Sequence, residues 1–142
     1  LKAPERARKP IQFFCATLPW KQLPDYPDIG SYKCNADNSP AFIGAADTGN
    51  DISNFAILIH EQVEAMWVWL NNVPEEEISK FDQAFFARQG AGEFPIEAEP
   101  GYAEGCPYAE GHFMAEAVER FVLERFGMMW STHEENCAKV SP

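Results

Sequence analysis

The longest apolar stretch of the chain runs from Asn54 to Leu70, NFAILIHEQVEAMWVWL, where hydrophobic side chains lie almost all the way round a helical projection. Its only ionisable residues are His60, Glu61 and Glu64. A helix with that pattern is normally buried, and a buried carboxylate without a partner costs several kcal/mol or takes up a proton. At 3.6 residues per turn His60 and Glu64 stand one above the other, about 40° apart, with Glu61 about 100° from His60. Two side chains so placed can grip one divalent ion while a third stands beside it.

The pattern on either side predicts the remaining elements. Ile11 to Leu18 is a short run of strand formers closed by Pro19, and Pro19 to Gly30, punctuated by Pro24 and Pro27, reads as a loop. Ser31–Asn35 and Ala41–Ala46 flank the turn sequence Ala-Asp-Asn-Ser-Pro and predict an antiparallel hairpin. Asp51 or Ser53 can cap the apolar helix, expected over about 52–71. Pro74 followed by Glu75, Glu76 and Glu77 starts a second helix, to about 88, whose apolar face is Ile78, Phe81, Phe85 and Phe86 with Asp82 beside it. Gln89 to Pro107 is an acidic loop rich in glycine and proline, and loops of that length are usually functional or mobile. Helical spacing returns over 108–126, stopped by Gly127. Ser131 to Glu134 has the form of a capping box for a last helix over 131–140, which would leave His133 exposed.

Composition narrows the class. The chain has 142 residues, 46% of them hydrophobic, which suits one folded domain. We place that domain at 11–142, after a basic arm over 1–10. The four tryptophans, Trp20, Trp67, Trp69 and Trp130, are expected in the core. The formal charge of −11 would repel a phosphate backbone, so a nucleic-acid partner is not expected. No apolar run reaches the roughly 18 residues of a spanning helix and no secretory leader pattern opens the sequence, so neither a membrane partner nor export is expected and the location is cytoplasmic. Cys15, Cys34, Cys106 and Cys137 form no C-x-x-C pair; their even number allows two disulfides in an oxidising compartment, and free thiols in a reducing one are the favoured reading. G-x-S-x-G and the glycine-rich phosphate loops are absent.

The chemistry-bearing residues fall on two helices. On the third, His112, Glu116 and Glu119 are spaced i, i+4 and i+7, within about 60° on one stripe, with Phe113, Val118, Phe121, Val122 and Phe126 expected to pack around it. Imidazole with carboxylate suits zinc or a similar ion, and an open coordination position would leave room for an activated water. His60-Glu61-x-x-Glu64 is the H-E-x-x-H arrangement of zinc peptidases with a glutamate in the second ligand place. It assigns His60 and Glu64 as ligands, His112 with Glu116 or Glu119 as the rest of the shell, and Glu61 as general base. Asp82 is a candidate supporting partner of a ligand.

LIHEQVEAM, KFDQAFF and PYAEGHFMAEAVERFVLERFGMMW, with the loop between them, resemble a group of small, mostly phage- or prophage-encoded proteins without an assigned activity. That group carries an H-E-L-V-E helix, a following F-D, a loop ending in P-Y, and a helix with His and I-E-R. The resemblance covers about 11–135 and puts His60, Glu61, Glu64, Asp82, His112 and Glu119 at motif positions. Glu116 replaces a small polar residue there, which favours Glu119. A more distant likeness is to a minimal zincin.

The expected fold is therefore α+β, a small, mainly antiparallel N-terminal sheet packed on a bundle of three to four helices. The expected function is metal-dependent hydrolysis, with zinc as cofactor, Glu61 as base and a peptide or small molecule as substrate. A nucleotide pyrophosphohydrolase holding magnesium is one alternative, at the cost of two histidines that magnesium does not favour. The other is a non-catalytic phage accessory or inhibitor protein that binds a host partner through its acidic surface.

Overall fold

The computed structural model describes residues 12–18 and 29–140. The predicted arm, Ile11, the loop from Pro19 to Asp28 and Trp20 lie outside these residues. Three strands, β1 (Phe14–Leu18), β2 (Gly30–Cys34) and β3 (Pro40–Ala46), are followed by four helices, α1 (Asp51–Leu70), α2 (Glu75–Gly90), α3 (Ala109–Arg125) and α4 (Trp130–Ala138). The class is α+β, a small sheet packed on helices.

The sheet has the order β1-β3-β2. The hairpin forms as predicted, with Tyr32 opposite Ile43 and a bulge between Lys33 and Cys34. Its turn is closed by Asn35 N–H on Ser39 O at 2.8 Å, with Asn38 in the left-handed region at φ 68°, a conformation asparagine tolerates well. β1 departs from the expected arrangement. It lies parallel to β3, with Ala16 opposite Gly44, so the sheet is mixed rather than mainly antiparallel. β1 and β2 occupy opposite edges of β3, and periodicity within a strand does not encode which edge it takes.

The cap of α1 is Asn50, one residue before the predicted candidates; its side chain accepts the Ser53 N–H at 3.0 Å. Asp51 lies within the first turn instead, where its charge complements the helix dipole. Ala56, Ile57, Ala65 and Val68 of α1 are buried together with Ile43, Ala45 and Ala46 of β3 and Ala115 and Leu123 of α3. The small side chains let the helix lie close to the sheet. The rest of the helix is less enclosed than its composition suggests: Phe55 and Leu70 are exposed and Trp67 and Trp69 half-buried. Trp130 is half-buried too.

α2 opens after Pro74 with Glu75, Glu76 and Glu77 in its first turn, as predicted. It buries Ile78, Phe85 and also Asp82. The acidic loop beyond it is pinned from within, because the Gln89 amide donates to the carbonyls of Pro95, Ile96 and Ala98 at 2.8, 3.2 and 3.0 Å. A single 3-10 turn, Pro100–Tyr102, buries Pro100 and Gly101 against α3. α3 ends at Gly127, which has φ +72°, with Met128 N–H returning to Leu123 O at 2.9 Å; this is the helix stop that a left-handed glycine allows. Phe113, Phe121 and Phe126, expected around its inner stripe, are exposed. α4 begins at Trp130 with Met129 as its cap residue, so Ser131 lies inside the first turn and caps nothing.

Candidate metal centre

α1 and α3 pack in opposite directions, since His60 meets Glu119, Glu64 meets His112, and Gly111 receives the Trp67 ring. A Cβ on Gly111 would lie 2.9 Å from Trp67, so a glycine is needed for the helices to approach this closely. The approach brings two stripes into register. His60 Nε2, His112 Nδ1 and Glu64 Oε2 converge, with separations of 3.3 Å between the two nitrogens, 3.0 Å from His112 to Glu64 and 3.6 Å from His60 to Glu64. All three side chains are largely buried, at 13%, 9% and 8% exposure. This group could hold a metal ion.

The far nitrogen of each imidazole faces a carboxylate. Glu119 Oε2 accepts from His60 Nδ1 at 2.8 Å. Glu99 Oε2 stands 3.3 Å from His112 Nε2, outside hydrogen-bond alignment, so that buried nitrogen has no aligned partner among the described residues. Glu99 comes from the acidic loop, is 59% exposed, and forms the solvent side of the arrangement. The next residues close over His112. A Cβ on Gly101 would fall 2.3 Å from the imidazole, and the Tyr102 ring lies edge-on to it with centroids 4.7 Å apart.

The remaining predicted residues fall around this centre. Glu119 stands behind His60, away from the three converging atoms. Its other oxygen, Oε1, accepts from His133 Nε2 at 2.7 Å. Glu116 faces outward, where it accepts from the Tyr102 hydroxyl and from Arg120, whose Nη2 is 2.7 Å away. Glu61 lies on the β2 side, packed so closely on Gly30 that a Cβ there would meet its carboxylate. Asp82 accepts from the buried Tyr108 hydroxyl at 2.7 Å, and Tyr108 in turn lies edge-on to His112, 6.5 Å between centroids.

Two residues of the arrangement were not anticipated. His133, expected on the surface, is 2% exposed; α4 starts one residue before the predicted capping box and turns this side chain onto α3. The signal available was the pairing of His133 and Cys137 four residues apart, on one helix face. Glu99 left no local mark beyond its place in a long acidic loop upstream of His112.

Burial and pairing oppose each other throughout. Burial alone would lower the pKa of His60, but hydrogen bonds to Glu119 and Glu64 and the nearby charge of Glu61 outweigh it and raise the pKa to about 11. For His112, burial again acts downward, and Glu64 and Glu99 raise it to about 9. Burial pushes Glu64 upward, yet the two histidines hold it below the ordinary carboxylate range. Glu119 is likewise lowered against its burial, by His133 and His60. The Tyr32 hydroxyl is buried with no hydrogen-bond partner among the described residues; burial and then the charge of Glu64 raise its pKa well above normal. Burial lifts the thiols of Cys34 and Cys106 to about 11.

Among the described residues no helix is long and apolar enough to cross a membrane. No known protein family, curated protein or solved structure matches the chain.

Proposed function

We propose that the protein is a zinc-dependent hydrolase in which His60, His112 and Glu64 hold the ion and a peptide bond is the leading substrate. The observation that carries this reading is the size of the triangle: ligand atoms 3.0, 3.3 and 3.6 Å apart average the edge of a tetrahedron with zinc bonds of about 2.0–2.1 Å, which is about 3.3 Å. Three electron-rich atoms at this spacing repel one another unless a cation, a proton or a metal, lies between them. Two imidazole nitrogens and one carboxylate form a donor set for zinc, not for magnesium. Carboxylates at the remote nitrogens match the way metal-bound histidines are usually oriented.

Only three ligand atoms converge among the described residues, the protein contribution expected of a catalytic site and one fewer than a structural one. Bound zinc would lower the pKa of a water in the fourth position to near neutrality. In this reading the chain's own residues do the following. Glu119 holds the His60 proton on Nδ1, leaving the Nε2 lone pair toward the ion. Glu99 can take the corresponding role for His112. Glu61, one residue beyond His60 and on the β2 side of the site, is the base that takes a proton from the attacking water.

The test is elemental analysis of protein purified without added metal, beside His112→Ala and Glu61→Gln, followed by a peptide-library cleavage assay. About one equivalent of zinc in the wild type and in Glu61→Gln, its loss in His112→Ala, and cleavage by the wild type alone are expected. Less than a tenth of an equivalent of any transition metal in the wild type would sink the proposal.

A further inference from the structure

All three histidines of the chain belong to one connected set of side chains. Two of them are the imidazoles assigned above. The third, His133, is joined to them through Glu119. It lies on α4, is 2% exposed, and donates Nε2–H to Glu119 Oε1 at 2.7 Å, while Glu119 Oε2 accepts from His60 Nδ1 at 2.8 Å. Glu119 is itself 6% exposed. A buried carboxylate can keep its angle only if both oxygens have partners, because an unsatisfied buried acceptor costs about 1–3 kcal/mol and would turn the group toward another donor.

We infer that His133 is a positioning residue of the metal site: it fixes the Glu119 carboxylate, which in turn sets the ring angle and tautomer of His60. The inference rests on reading His60, His112 and Glu64 as metal ligands. With both Glu119 oxygens accepting, the carboxylate can only accept from His60. The His60 proton therefore sits on Nδ1, and Nε2 turns its lone pair to the ion. The local structure holds His133 in place for this. α4 is tied to the start of α1 by Asn136 Nδ2 donating to Ser53 Oγ at 3.0 Å, and to α3 by Arg120 lying 3.7 Å over the Trp130 ring. Cys137 Sγ, 3.6 Å from His133 Nε2, and the Trp130 ring, 5.5 Å from its centroid, flank the imidazole and leave it little freedom to swing away. The last helix of the fold, which supplies no ligand, thus becomes part of the site.

The experiment uses Co²⁺ as the probe, read by its visible absorption and by competition with a chromophoric chelator, on the wild type, His133→Phe and His133→Gln. The phenylalanine fills the same space without a donor; the glutamine keeps one. His133→Phe should bind Co²⁺ about 10–100-fold more weakly with an altered spectrum, and His133→Gln should recover most of the loss. A purely structural pair would lower the thermal midpoint of the metal-free protein and leave the affinity and spectrum of the folded fraction unchanged. That result would overturn the inference and leave the metal site standing. If His133→Phe does not fold, imidazole ¹⁵N shifts of the Zn²⁺-loaded wild type decide it: His133 must carry its proton on Nε2 and His60 on Nδ1, and either proton on the other nitrogen overturns it. Failure of the wild type to bind Co²⁺ overturns the metal reading and this inference with it.

Discussion

If His60, His112 and Glu64 hold a metal ion, replacing Gly101 by alanine should abolish its binding, although Gly101 is not one of these residues and is not in a strained backbone conformation. Its φ lies outside the left-handed region, so the backbone accepts a side chain. The obstruction is the His112 ring. An added Cβ would sit 2.3 Å from His112 Cγ and 2.4 Å from Cδ2, where ordinary contact begins at 3.4 Å. The ring or the turn must therefore move by about 1 Å. Both neighbours resist: Pro100 and Gly101 are buried, and Tyr102 flanks the same ring. Overpacking of this kind costs about 1–3 kcal/mol. Metal–ligand bonds tolerate about 0.2 Å, so a ring displaced by 1 Å no longer contributes, and Zn²⁺ or Co²⁺ affinity should fall at least about 100-fold, beyond the range seen on loss of an outer partner. Isothermal titration with Co²⁺ and thermal unfolding of the metal-free protein measure the two effects. Gly90→Ala is the control, because a Cβ there meets nothing within 4 Å, and it should change stability by less than about 1 kcal/mol. A Gly101→Ala protein that binds Co²⁺ like the wild type would refute the reasoning that crowding the His112 ring removes it from the proposed site.

Stability without metal should depend on pH in two windows. His60 and His112 have pKa values raised to about 11 and about 9, so their stabilisation is complete below the unfolded value near 6.5 and is lost as pH rises through about 9 and then 11. Glu64 and Glu119 are lowered, so theirs is present above about 4.5 and lost as pH falls below it. Metal binding must displace the histidine protons, so affinity should rise with pH and saturating Zn²⁺ should stabilise the protein most on the alkaline side; thermal midpoints from pH 4 to 10 with and without Zn²⁺ would contradict this if the two profiles ran parallel. Glu116→Ala should leave Co²⁺ affinity unchanged within about twofold and cost no more than about 1 kcal/mol, because it breaks a surface pair with a half-exposed Arg120; a large loss of affinity would restore Glu116 as a ligand. Tyr108→Phe removes a donor from the buried Asp82 carboxylate and should destabilise by about 1–3 kcal/mol in chemical denaturation; an unchanged midpoint would show that Asp82 does not depend on it.

Local rules in the sequence determined the helices and the hairpin. Spacing, the Pro74 and triple-glutamate start and the Gly127 stop act over a turn or two of chain, and they place His60 beside Glu64 and His112 in line with Glu119 whatever the helices pack against. Those rules could not separate Glu116 from Glu119, which lie about 40° to one side and about 20° to the other of His112 on the same helix. The antiparallel approach of α1 to α3, set by Gly111 receiving Trp67, turned Glu119 to the back of His60 and left Glu116 to Arg120. Tertiary structure alone decided the rest: the parallel seat of β1, the delivery of Glu99 by a loop pinned on Gln89, and the burial of His133 between α4 and α3. Each of these depends on contacts between separate elements, and such pairings follow from which surfaces exclude water together, a property that the pattern within one element does not contain.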